Sequence, residues 1–128
     1  MGRDASITLP WADGDYVFRL GWGELIELQE QCDAGPYVVL HRLGNGQWRV
    51  QDISHVIRLA LIGGGLEPVK ALTLVRNYVE RLPPLTSVMM ARGILALGVQ
   101  GAPDEKPGEA EGEAKGNDST TSPTESSE

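Results

Sequence analysis

The chain has 128 residues, a length that suits one domain and is short for two. Its net charge of −7 comes almost entirely from the C-terminal segment: residues 1–101 hold ten acidic and nine basic side chains, and residues 102–128 hold eight and two. A nearly neutral body offers no clustered Lys and Arg for a phosphate backbone, which argues against nucleic-acid binding. The single cysteine, Cys32, excludes an internal disulfide and a thiolate metal cluster.

Two segments near the N-terminus alternate apolar and polar residues, as strands with one solvated face do. They are Ala5–Leu9 and Tyr16–Leu20, and Asp13-Gly14-Asp15 between them supplies turn residues. The pattern predicts a β-hairpin with a fairly long loop. Because a lone hairpin is marginal in water, its apolar face must pack on the helices that follow. Trp22 is expected to pack in the junction between the hairpin and the first helix.

Two short helices are predicted after the hairpin. The first, Gly23–Cys32, has Leu25, Leu28 and Cys32 at helical spacing and ends before a Gly-Pro stop signal. The second, Tyr37–Leu43, follows that proline, although its two valines leave a strand possible.

The clearest helical pattern is Gln51–Leu66, where apolar residues recur at i, i+3, i+4, i+7 and i+8 and line one face. Asp52 is predicted to cap its N-terminus. Three glycines at its end permit positive φ, so they predict a left-handed cap and a turn. A phosphate-binding loop is not predicted, because the glycines follow a helix and no Gly-Lys-Ser/Thr comes after them. The apolar face is Ile53, Val56, Ile57, Ala60 and Leu61, and the turn glycines are Gly63, Gly64 and Gly65.

Two further helices are predicted, from Pro68 to about Leu82 and from Leu85 to about Leu97. Proline suits a first helical turn, and Pro83-Pro84 cannot continue the helix before them. The predicted core stripes are Leu72, Val75, Val79 and Leu82 in the first of these helices, and Leu85, Val88, Ala91, Leu95 and Val99 in the second.

The composition changes at Ala102, after which no aromatic residue and no apolar residue larger than alanine occurs. Such a segment buries too little surface to offset the entropy of ordering, which predicts a disordered acidic tail over 102–128. The expected fold is α+β: a compact body over 1–101, with an N-terminal β-hairpin packed on a small bundle of four to five short helices.

Several of these segments together resemble a known family. A Leu-Ile-Gly-Gly-Gly helix end, preceded by an N-terminal hairpin and a Gly-x-Gly-Glu-Leu-x-x-Leu-Gln helix start, is similar to the small tail protein of gene transfer agents and related siphophages. The matching pieces are Tyr16–Leu20, Gly21–Leu28, Asp52–Gly65 and a final helix closing at Gly98 and Gly101. That family is described both as a tail tube protein and as a tail assembly chaperone. The resemblance therefore implies a phage, prophage or gene-transfer-agent tail protein whose partners are the tape measure and the tail tube.

No set of residues predicts a catalytic, cofactor or metal site. His41 and His55 lie on different predicted helices without a third ligand at metal spacing, and Ser54 and Ser87 lie outside any Gly-x-Ser-x-Gly elbow. The longest apolar run, Leu59–Ile62, is far below the roughly 20 residues that span a bilayer, and no signal-peptide pattern begins the chain. We expect a non-enzymatic protein without cofactors, located in the host cytoplasm during particle assembly, or in the virion if it is a tube subunit.

A candidate partner surface combines two tryptophans with apolar residues off the main stripe of the third helix. Tryptophan is enriched both in cores and at interface hot spots, and both roles stay open for the two beside the turns. A helix that is apolar over more than one face is buried on two sides or meets another chain. The candidate surface is Trp11, Trp48, Leu59, Ile62 and Leu66.

The predicted function is a tail assembly chaperone, which holds apolar helices of the tape measure, or unassembled tube subunits, until polymerisation buries them. The acidic tail would keep such complexes soluble by self-repulsion. A structural tail tube component is the first alternative. A tube subunit should have long strands that continue a sheet between neighbours, and only two short strands are predicted. Association into a homo-oligomer also stays open. A small DNA-binding regulator with a helix-turn-helix is the second, although only Arg58, Lys70 and Arg76 are basic in the third and fourth helices.

Overall fold

A computed structural model describes residues 5–101. Within this range an N-terminal antiparallel hairpin precedes five helices, which confirms the predicted α+β fold. The predicted acidic tail, 102–128, lies outside the described residues. The elements are β1 (Ser6–Trp11), β2 (Gly14–Arg19), α1 (Trp22–Cys32), α2 (Pro36–Asn45), α3 (Val50–Gly63), α4 (Pro68–Tyr78) and α5 (Leu85–Gln100).

The hairpin is longer and its turn tighter than the alternation predicted. β1 and β2 pair from Ser6 opposite Arg19 to Trp11 opposite Gly14, so only Ala12 and Asp13 form the turn. The predicted long loop is therefore wrong. One reason is the hydrogen bond that the Tyr16 hydroxyl donates to the Asp13 carboxylate at 2.5 Å, which ties the turn to the strand after it.

Helix α3 lies at the centre of the fold and packs against β2, α1, α4 and α5. Its predicted apolar face is buried in full, because neighbours cover it from several sides. The helix begins after Arg49 instead of Asp52, so the predicted N-cap is wrong. Asp52 occupies the third helical position, from which its carboxylate accepts a hydrogen bond from the Arg49 N–H at 2.9 Å and satisfies an amide that the helix leaves free.

The three glycines at the end of α3 have two different structural reasons. Gly65 adopts φ of +109°, and the N–H groups of Gly65 and Leu66 donate to the carbonyls of Ile62 and Leu61, both at 3.0 Å, as in a Schellman motif. Gly63 and Gly64 instead lie against the backbone of β2. A Cβ atom on Gly63 would collide with the Arg19 carbonyl oxygen, and one on Gly64 with the Val17 carbonyl oxygen.

The structure settles or corrects the predicted patterns of α2, α4 and α5. α2 is a helix, which removes the strand alternative. α4 ends at Tyr78, where the chain turns, and its buried residues are Ala71, Leu74 and Val75. Leu72 and Leu82 are 38 and 43 % exposed, so their predicted place in the core is wrong. In α5 Val88, Ala91 and Leu95 are buried as predicted, but Leu85, in the first turn beyond the edge of the core, is 74 % exposed.

Candidate functional site

A buried polar cluster joins α1, α2 and α3. The Asp52 side chain is fully buried, and the Arg42 guanidinium of α2 donates to its two carboxylate oxygens at 3.3 and 3.4 Å. From the connection before α3, the Arg49 guanidinium donates to the Cys32 carbonyl oxygen, which ends α1, at 3.5 Å. These contacts join the ends of α1 and α2 to the start of α3, so the cluster has a structural role.

The thiol in this cluster is not activated for nucleophilic chemistry. Burial, together with the charge of Asp52 and a hydrogen bond to its carboxylate, raises the pKa of Cys32 to about 12. A reactive cysteine needs the opposite shift, toward the thiolate at neutral pH. Cys32 is therefore a buried structural residue with its proton in place.

The two histidines lie apart and in different surroundings. His41 is exposed, and its ring meets Tyr37 edge-on at 5.0 Å. His55 is half-buried, and burial together with Arg58, whose Nη2 lies 3.3 Å from the ring Nδ1, lowers its pKa. Among residues 5–101, no group of three or more His, Cys, Asp and Glu is placed to hold a metal ion. Nor is any helix in that range long and apolar enough to cross a membrane.

The residues of the candidate partner surface lie mostly against the core of the chain. Leu59 is buried, and Ile62 and Leu66 are half-buried. Trp48 is half-buried against the core as well. Trp11 is also half-buried, and the structure does not bring these residues together as one open surface.

Trp11 belongs to an aromatic cluster that closes one end of the core. Its ring meets those of Tyr16 and Phe18 on the hairpin at 5.8 and 5.7 Å, and that of Tyr78 at the end of α4 at 6.0 Å. All three contacts are edge-on, which is a favourable geometry for aromatic pairs. Trp11 therefore links the hairpin to the helices.

The exposed apolar side chains lie elsewhere, chiefly on the outer faces of the helices. Trp22 is 84 % exposed, so its predicted packing in the junction is wrong; Leu28 and Cys32 turn the other side of α1 toward the core and leave Trp22 outside with Ile26. On α5, Met89 is 70 % exposed and lies one turn after Leu85.

A groove between α2 and α5 is lined in part by Met89. Its volume is about 560 Å³, and its lining includes the small residues Gly44, Gly93 and Ala96. Arg92 lies across Gly44, where a Cβ atom would be 3.2 Å from its Nε. The groove is lined by Tyr37, Leu40, His41, Gly44, Asn45, Met89, Arg92, Gly93, Ala96 and Gln100. Its lining mixes apolar and polar side chains and contains one arginine, Arg92, and no carboxylate.

A family model described as phage tail tube protein, GTA-gp10, matches residues 4–101. The chain belongs to this family. The match confirms the resemblance to tail proteins of gene transfer agents, and it covers every element from the hairpin to α5. No curated protein and no solved structure matches the chain. Membership of the GTA-gp10 family identifies a phage-type tail protein, which suggests a non-enzymatic role and contacts with other tail proteins.

One sequence signal does point to the groove of this GTA-gp10 member. α5 has apolar residues on every side along its length, whereas a helix with one buried stripe alternates them with polar residues. The predicted core stripe of α5 included Leu85, so an apolar residue that faces outward was counted as buried. Which side of α5 stays outside depends on where α2 and α3 pack, and the sequence of α5 does not contain that information.

Proposed function

We propose that the chain is a tail assembly chaperone, which binds exposed helices of tape-measure or unassembled tube proteins in the groove between α2 and α5. The observation that carries this proposal is the exposed apolar side chain of Met89, which lines that groove, together with the exposed Leu85 one turn earlier on α5. Large apolar side chains grouped on a surface mark sites of protein contact.

The groove matches the way in which proteins bind amphipathic helices. Such a helix inserts apolar side chains at i, i+3 or i+4 and i+7 into an apolar groove. Met89 would pack against one side of the client helix, and Gly93, where a Cβ atom would meet nothing within 4 Å, leaves room for client side chains. Because Arg92 is the cation in the lining, a client helix with an acidic residue beside its apolar stripe would be preferred.

The mechanism requires no chemistry beyond reversible burial. A client helix leaves water when it enters the groove, and it leaves the groove when polymerisation of the tail offers a larger apolar interface. This role would be carried out in the host cytoplasm during particle assembly.

The test is co-expression of the full chain with the tape-measure and tube proteins from the same particle, followed by affinity purification. We expect the wild-type chain to retain one of them and the L85S/M89S variant to retain at least about tenfold less, since a few central residues dominate such contacts. The matched control is V69S/L72S, which removes two exposed apolar side chains of α4 and should retain the client. Equal retention by both double variants would refute the groove assignment.

A structural tail tube component is the second candidate, and the description of the family favours it. A tube subunit joins its neighbours by extending a sheet, yet the sheet within residues 5–101 is one hairpin of two six-residue strands. Mass spectrometry of purified particles separates the two. Presence in the amount of a ring-forming subunit would support the tube role, and absence from particles would support the chaperone.

A further inference from the structure

The exposed face of α1 is apolar and acidic. Leu28 and Cys32 are buried, so the opposite side of the helix presents Trp22, Ile26 and Glu30 at i, i+4 and i+8. α1 contains three glutamates and no lysine or arginine. Glu27 beside this stripe accepts a hydrogen bond from Gln31 at 2.8 Å, within the same helix. We call Trp22, Ile26, Glu27 and Glu30 the acidic face.

The exposed face of α4 is apolar and basic. Because Ala71, Leu74 and Val75 pack inward, Val69, Leu72 and Arg76 lie outside at i, i+3 and i+7, and Lys70 lies next to them. α4 contains one lysine, one arginine and no acidic residue. No carboxylate of residues 5–101 lies within salt-bridge distance of Lys70 or Arg76. We call these four side chains the basic face.

The two faces are alike in length and in apolar content, and they carry opposite charges. Each lies on an 11-residue helix, about 16 Å long, and each has two exposed apolar side chains beside two like charges. α1 and α4 both pack on α3 with their other sides, so neither face is used by another element within residues 5–101.

We propose that copies of this chain associate head to tail, with the acidic face of one copy packed on the basic face of the next. Trp22 is the anchor, because it is the largest exposed side chain and tryptophan is enriched at interface hot spots. The charges on either side set the orientation and oppose pairing of two like faces. Since each contact leaves an unused face at both ends, the association continues into a ring or a filament. This proposal is independent of the chaperone role.

The small size of the faces predicts a weak, salt-sensitive contact. Two 11-residue helices fall at the low end of protein interfaces, so the dissociation constant should be about micromolar or weaker. We expect sedimentation velocity of the full chain at low salt to give a mass that rises with concentration, and we expect high salt to reverse the rise.

Charge reversal tests which faces are used. E27K/E30K makes both faces basic, and K70E/R76E makes both acidic, so each variant alone should stay monomeric under conditions where the wild type associates. An equimolar mixture of the two variants pairs opposite charges again and should associate. D15K, a single reversal at an exposed residue of β2, changes the net charge by +2 outside both faces and should associate like the wild type.

The mixture also guards against misfolding, because a variant that failed to fold would not regain association on mixing. A wild-type chain that stays monomeric at every concentration and salt would overturn the proposal. So would variants that associate alone, or a mixture of two variants with wild-type circular dichroism that does not associate. Client retention by K70E/R76E is a separate readout, and its outcome decides only the chaperone proposal.

Discussion

Replacement of Gly63 by alanine tests the contact between the end of α3 and the hairpin. In an exposed helix this substitution stabilises by up to about 1 kcal/mol, because alanine loses less backbone entropy than glycine. In this fold the new Cβ atom collides with the carbonyl oxygen of Arg19. That oxygen belongs to a residue paired with Ser6 across the hairpin, so it cannot rotate away without disturbing β2.

The net effect is the difference between the two terms. Overpacking costs about 1–3 kcal/mol, and a backbone obstacle favours the upper end, so after the gain in helix propensity the free energy of unfolding should fall by about 2 kcal/mol. For a domain of about 100 residues this corresponds to a Tm lower by about 8–16 °C.

Thermal and urea denaturation of G63A, followed by circular dichroism, measures the effect. The matched control is G93A in the middle of α5, where a Cβ atom meets nothing within 4 Å and φ is not positive. The control should raise Tm by a few degrees, at most about 8 °C. If G63A raised Tm as G93A does, β2 would not lie on the end of α3 as described.

Three further predictions concern ionisable groups. D52A should lower the free energy of unfolding in urea by about 3–4 kcal/mol, because it leaves the Arg42 guanidinium without its buried partner. Substitution of the exposed Glu30 in E30A should change it by no more than about 0.5 kcal/mol. Equal losses in the two variants would contradict the buried pair. Alkylation of Cys32 at pH 8 should be at least about 100-fold slower in the native chain than in urea. Rapid alkylation of the native chain would refute the burial of Cys32. Because folding raises the pKa of this thiol from 9.0 to about 12, the unfolded chain releases the thiol proton at lower pH than the native chain does, so stability should fall as the pH rises through this interval. The lowered pKa of His55 has the opposite consequence: its contribution to stability is complete above pH 6.5 and falls as the pH drops below that value. H55Q should remove part of this fall when denaturation is measured as a function of pH. An unchanged pH profile would count against His55 as the cause.

The sequence by itself determined the fold class, the order of the elements and the central helix. These features rest on local signals. Alternation in the hairpin, 3.6-residue spacing in α3, and glycine and proline stops act within a few residues, so they can be read without knowing what packs where. The family resemblance rested on the same local motifs, which is why it agreed with the family match over residues 4–101.

Only the tertiary structure decided which sides of the short helices face outward. In α4 and α5 several sides are apolar enough to be buried, and the choice depends on where α3 and α2 lie, so Leu72 and Leu85 were placed in the core although they are exposed. The same holds for Trp22, whose position is set by the phase of Leu28. Gly63 is a further example: a local pattern shows that a helix ends there, but its close contact with β2 comes from a residue more than 40 positions earlier in the chain. Local spacing specifies helices, whereas packing between distant segments determines the surfaces that remain for partners.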